Sequence, residues 1–123
     1  MKNEILELSK QDKNSDYEFP IKIGNEIYRI KNRLIKMPIE TDGFEQLLKS
    51  IERMQEILNE EGFEVIDLIN LDYNEGMTVK ARFVQTDNPL ENKIISKVIK
   101  PQINYNKQLV QIADIEVKMY KKL

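Results

Sequence analysis

Residues 42–71 read DGFEQLLKSIERMQEILNEEGFEVIDLINL and contain a helical pattern followed directly by a strand pattern. Apolar residues recur in the first part at spacings of three and four, which predicts one buried helical stripe made of Phe44, Leu47, Leu48, Ile51, Met54 and Leu58. Asp42 and Glu45 have the spacing of a capping box, and Gly62 is typical of a helix end. We therefore expect a helix from Gly43 to Glu61.

The sequence after Gly62 changes to an apolar period of two, which indicates strands. Strands are predicted at residues 63–71 and 77–83, and a last strand at 115–119 with a bulge near Ile112 and Ala113. Residues 94–99 have helical spacing but β-branched composition, so helix and strand both stay open there. Turns are predicted at residues 72–76, 87–89 and 104–106.

Residues 1–40 give a weaker pattern. Residues 1–15 could form a short helix, and the polar run at 11–16 is typical of a loop. Gly24 and Asn25 stand between two apolar-alternating runs, which predicts a β-hairpin over residues 19–30. Residues 31–40 then read as a linker. Because Pro20, Pro38 and the predicted hairpin occupy this region, we expect no long amino-terminal helix. No sustained heptad run is seen, which argues against a dimer built on a long coiled coil; the oligomeric state stays open.

These elements together predict an α+β fold. It consists of an N-terminal β-hairpin, one amphipathic helix and a small, mainly antiparallel β domain. The chain of 123 residues is long enough to fold as a single compact domain, with an N-terminal segment at 1–40 and the helix plus β domain at 41–123.

The composition excludes several classes of chemistry. The chain has no Cys and no His, so it has no thiol nucleophile, no imidazole base and no common zinc ligand set. We therefore expect that the protein is not an enzyme and binds neither a cofactor nor a metal. Catalysis by carboxylates and lysines alone stays open as the least favoured alternative. No apolar run reaches the length of a membrane span and no signal peptide is recognisable, so a cytoplasmic protein without membrane contact is expected.

Basic residues are concentrated in one part of the β half. No acidic residue lies between Glu91 and Asp114, and this interval contains Lys93, Lys97, Lys100 and Lys107. The patch is either a plain solvated face or a surface for a mildly acidic protein or nucleic acid. Because few aromatic residues accompany these lysines, nucleic acid is the less expected partner.

Four segments between residues 43 and 119 follow one another in a recognisable order. A helix enters a strand at Glu61–Asp67, Tyr73–Glu75 forms a turn, Ile94–Lys100 forms a further apolar run, and Asn106–Val117 closes with Ala113 in place. This order resembles the head domain of the GrpE family, the nucleotide-exchange factors of DnaK-type chaperones. Gln102-Ile103 stands at the family's Gly-Tyr, and Gln108 stands at an Arg.

The resemblance implies a head domain that wedges against the nucleotide-binding lobe of a DnaK-type chaperone. Binding the open lobe would lower the affinity for ADP by linkage. The partner-facing positions would be Ile99, Gln108 and Val117, although alternating apolar residues in strands, such as Ile99 and Val117, usually lie in the core. Two alternatives remain: a small structural or assembly protein that pairs through its sheet edge or hairpin, and a weak nucleic-acid binder that uses the Lys93–Lys107 patch.

Overall fold

The computed structural model describes the backbone of residues 2–121 and the side chains of residues 17–121. The fold is α+β, as predicted, and the chain divides into two compact units at Phe63 and Glu64. The first unit contains α1 (Lys2–Ile35) and α2 (Phe44–Glu60). The second contains β1 (Phe63–Ile66), β2 (Val79–Thr86), β3 (Ile94–Lys100), β4 (Gln102–Tyr105), β5 (Gln108–Gln111) and β6 (Ala113–Tyr120).

The amino-terminal part of the chain forms a single helix of 34 residues, so the predicted hairpin at 19–30 is wrong. The buried residues Gly24, Ile27 and Leu34 lie three or four positions apart, or at sums of these spacings, on one helical stripe. Helical burial of this stripe outweighs the turn preference of Gly24 and the backbone hydrogen bond lost at Pro20. The predicted polar loop at 11–16 is also helical, and the linker begins only after Ile35.

Helix α2 confirms the predicted helix, and it packs on α1 as an antiparallel neighbour after a short connection. Ile27 and Leu34 of α1 form a buried cluster with Ile51 of α2, to which Phe44, Leu48 and Leu58 add half-buried side chains. The predicted capping box is wrong, because the N-cap is Gly43 and no side chain caps the helix. Gly62 ends α2 as predicted, with a φ of 93°.

Replacing Gly43 with alanine should lower the free energy of unfolding by about 1 kcal/mol. Gly43 has a φ of 82°, in the left-handed region that disfavours a side chain, and no atom stands within 4 Å of the Cβ that alanine would add. The cost is therefore backbone strain and not a clash. Urea unfolding followed by the helical circular dichroism signal measures it. Glu40→Ala, in the same exposed connection, is the control and should change little; an equal loss in both variants would contradict the argument.

The second unit is built from two three-stranded sheets, with the strand orders β1-β4-β5 and β2-β6-β3. Strand β6 is central in the second sheet, where it runs parallel to β2 and antiparallel to β3. One face of this sheet carries the core of the unit, formed by the buried residues Leu68, Ile95, Ala113, Ile115 and Val117. The sheets are mostly antiparallel, as expected, apart from the β2–β6 pair.

The structure has more strands in this unit than the sequence predicts, and the first of them is shorter. Strand β1 ends at Ile66 because the Asp67 Oδ1 accepts a hydrogen bond from the backbone N–H of Ile69 at 3.0 Å, which turns the chain. Residues 94–100 form strand β3, so the choice between helix and strand is settled as a strand, in agreement with the β-branched composition. Strands β4 and β5 make an additional hairpin with Asn106 and Lys107 at its turn, both with positive φ.

Candidate functional site

The outward face of the β2-β6-β3 sheet carries an ordered set of charges, which we call the charged face. Two acidic residues of β6 occupy its centre, and each is flanked by basic residues at matching positions of β2 and β3. The first row is Lys80, Asp114 and Lys100, and the second row is Arg82, Glu116 and Lys97. Residues opposite each other in adjacent strands share a face, so the register alone brings these six side chains together.

The basic residues of the charged face are exposed, whereas the acidic residues are recessed. The Asp114 side chain is only 16% exposed, and its Oδ2 lies 4.0 Å from Nη2 of Arg82, whose side chain is 63% exposed. The other carboxylate oxygen of Asp114, Oδ1, is buried without a hydrogen-bond partner. The flanking cations therefore project into solvent above a compensating row of carboxylates, and the face presents positive charge to a partner.

The four lysines of the predicted basic patch do not form one surface. Lys97 and Lys100 lie on the charged face, but Lys107 lies in the turn between β4 and β5 of the other sheet. Lys93 pairs with Glu75 at 3.2 Å and stands over the Phe83 ring at 5.6 Å. The sequence reading missed Lys80 and Arg82, which contribute to the charged face although they lie outside the acid-free interval.

The three positions singled out by the family resemblance differ in exposure. Ile99 and Gln108 are exposed, so a partner could contact both. Val117 is fully buried in the core, where it lies opposite Phe83 of β2 and Ile95 of β3. We therefore keep Ile99 and Gln108 as candidate partner contacts and assign Val117 to the core.

Strand β2 forms an edge of its sheet, and this edge is regular. Eight consecutive residue pairs join β2 to β6 without a register shift. Among the described residues, no backbone group is hydrogen-bonded to the outer side of β2. Phe83, near the middle of the strand, is 48% exposed and meets Tyr73 edge-on, with a distance of 5.4 Å between the ring centroids.

The opposite edge, β3, is protected in two ways. Its pairing with β6 contains two register shifts. At the start of β3, the outer backbone groups are already bonded to the segment before β2: the N–H of Asn70 donates to the carbonyl of Ile95 at 2.8 Å, and the N–H of Ile95 donates to the carbonyl of Leu71 at 2.9 Å. Bulges and covering segments are the means by which proteins protect sheet edges, so the two edges of this sheet are not equivalent.

The helical unit carries an exposed apolar surface, which we call the apolar helix face. It consists of Phe19, Ile23 and Ile30 on α1 and Leu47, Met54 and Ile57 on α2. Viewed down each helix axis, these residues lie about 80–90° around the helix from the stripe that packs between the helices. The direction of this rotation is the same in both helices. Because the helices are antiparallel, this equal rotation places both sets on the same side of the helix pair.

A shallow open cavity lies beside the charged face. Its lining is formed by Asn70, Thr86, Asn88, Leu90, Ile94, Ser96 and Lys118. Amide and hydroxyl groups predominate, with one charged group, Lys118. Among the residues whose side chains are described, no cluster of three or more carboxylates, the metal-binding side chains this sequence has, stands close enough to hold a metal ion.

No protein-family model matches the sequence, and no curated protein matches it significantly. Within residues 2–121, neither helix has the length and apolar character required to cross a membrane.

Proposed function

We propose that this chain is a non-enzymatic protein-interaction module of the GrpE type, which acts on a DnaK-type chaperone in the cytoplasm. The observation that carries the proposal is the order of its parts: a long helix, a shorter amphipathic helix and a small β unit. The family dimerises through a long amino-terminal helix, which was not expected in this sequence. Helix α1 is long and amino-terminal, and this feature supports the resemblance.

The apolar helix face supports pairing of the helical unit with a second copy. At 1.5 Å per residue, α1 is about 51 Å long and α2 about 26 Å, so α2 can line only half of α1. Most of the stability of a helix in a protein comes from packing of its apolar side, so the part of α1 that α2 does not line would gain stability from a further partner. A second copy related by a two-fold axis would cover both the apolar helix face and the remaining part of α1.

The β unit supplies the candidate chaperone contacts, Ile99 and Gln108. Binding energy that is realised only with the open form of the nucleotide-binding lobe would shift the chaperone toward that form and weaken ADP binding. Where the family has an arginine, Gln108 offers fewer donors and no charge. The proposed exchange activity is therefore weaker than an arginine at this position would allow.

Release of a fluorescent ADP analogue from a DnaK-type chaperone tests the proposal. We expect the protein to accelerate release by about tenfold at saturation, which corresponds to a modest coupling free energy. Gln108→Arg should increase the effect and Ile99→Asp should reduce it. Asp87→Asn, an exposed change in a turn, is the control and should match the wild type. An unchanged release rate at every protein concentration would refute the proposed function.

A further inference from the structure

We propose that the free edge of β2 is a second binding site, which takes an extended peptide of alternating acidic and apolar residues as an added strand. The site lies on the sheet of the β unit and does not depend on the proposed chaperone function. Addition of a strand to an exposed sheet edge gives affinity through the main chain and specificity through alternate side chains. Each of these contributions can be assigned to residues of β2.

One hydrogen bond at the end of β2 indicates which of its backbone groups face β6 and which face the free edge. The N–H of Lys121, which follows β6, donates to the carbonyl of Thr86 at 3.0 Å. The carbonyl of Thr86 therefore faces β6, and so do the backbone groups of the other even-numbered residues of β2. The N–H and C=O groups of Val79, Ala81, Phe83 and Gln85 consequently face the free edge, where an added strand would pair with them.

The side chains of β2 define which peptide fits. Lys80 and Arg82 are exposed on the outward face, where the neighbouring side chains of an added strand would meet two cations. Carboxylates at those positions are favoured, and lysine or arginine would be repelled. On the other face the added strand would lie beside Ala81 and the exposed Phe83 ring, which favours apolar residues. The preferred peptide therefore alternates acidic and apolar residues.

The same charges limit pairing between two copies of this edge. An antiparallel pairing of two β2 strands centred on Ala81 would place Lys80 of each copy opposite Arg82 of the other, and one centred on Arg82 would place the two Arg82 side chains opposite each other. Like charges directly opposite each other in a sheet are destabilising. The edge is thus open to an acidic strand, while its cations disfavour these two registers of self-pairing, which is a usual role of charged residues on edge strands.

A labelled, terminally blocked peptide of alternating glutamate and valine, as long as β2, is the probe. Fluorescence anisotropy should show that it binds at least about tenfold more tightly than the same peptide with lysine in place of glutamate. Gln85→Pro should abolish binding, because it removes an N–H from the free edge without removing one that faces β6. Gln85→Ala, which keeps that N–H, should bind normally.

A second measurement tests the proposal without the proline variant, which could misfold. In the wild-type protein, the glutamate peptide should slow hydrogen exchange at the amides of Ala81 and Phe83. Charge reversal by Lys80→Glu with Arg82→Glu should invert the preference between the two peptides. Equal binding of both peptides, unchanged exchange at these amides, or displacement of the peptide by a single-stranded oligonucleotide would overturn the proposal.

Discussion

Leu47→Glu combined with Ile57→Glu should convert the proposed dimer to a monomer, with an increase in Kd of at least about a thousandfold. Both residues belong to the apolar helix face, and each side chain is more than half exposed in the single chain. In the proposed dimer the new carboxylates would be buried without partners, which costs several kcal/mol. Sedimentation equilibrium over a range of concentrations measures the change.

The exposure of Leu47 and Ile57 separates this effect from simple unfolding. Because both side chains bury little within one chain, their replacement should leave the helical circular dichroism signal of the monomer almost intact. The matched control is Lys49→Glu, which lowers the net charge by the same two units at another, exposed position of α2. A wild-type protein that stays monomeric, or a double variant that stays dimeric, would rule out pairing through this face.

The helical unit shows why a long helix was not predicted from the sequence. Ile27 and Leu34, the residues of α1 in the cluster with α2, lie on a stripe with the spacing of a heptad seam, whose other positions are Pro20, Gly24 and Lys31. Only Ile27 and Leu34 are large and apolar, so the pattern is not recognisable as a seam. Between Phe19 and Ile23, large apolar residues occupy every second position, and an apolar period of two is typical of a strand.

The second helix was predictable because its local signals agree. Its apolar residues keep helical spacing over four turns, and Gly62 supplies the left-handed residue that ends it. Yet Leu47 and Met54, which were predicted to lie on the buried stripe, are exposed. A stripe wide enough to include them is wider than one partner helix can cover, which is consistent with a second contact on that side.

The charged face could not be predicted from the sequence because it depends on strand register. Lys80 and Asp114 are far apart in the chain and become neighbours only through the parallel pairing of β2 and β6. A parallel pair between distant strands has no local signal comparable to a hairpin turn. The acid-free interval did identify Lys97 and Lys100, but it also included Lys107, which belongs to the other sheet.

Ile115→Ala should lower the stability of the β unit by about 3–4 kcal/mol, a large part of the total for a unit of this size. Ile115 is fully buried in β6, between Ala81 of β2 and Val98 of β3. The central strand is held on both sides, so the surrounding structure can close little of the cavity that the substitution leaves. Hydrogen exchange at the amides of β6 measures the loss as faster exchange.

Ile99→Ala is the matched control for this change, because it removes the same atoms from a side chain that is 36% exposed near the end of β3. Its cost should stay below about 1 kcal/mol, since less apolar surface is lost and solvent fills the gap. The pair also separates folding from function: Ile99→Ala should weaken the proposed chaperone contact while β6 remains protected, whereas Ile115→Ala should act only through unfolding. Equal loss of amide protection in both variants would mean that β6 is not the central strand of the core.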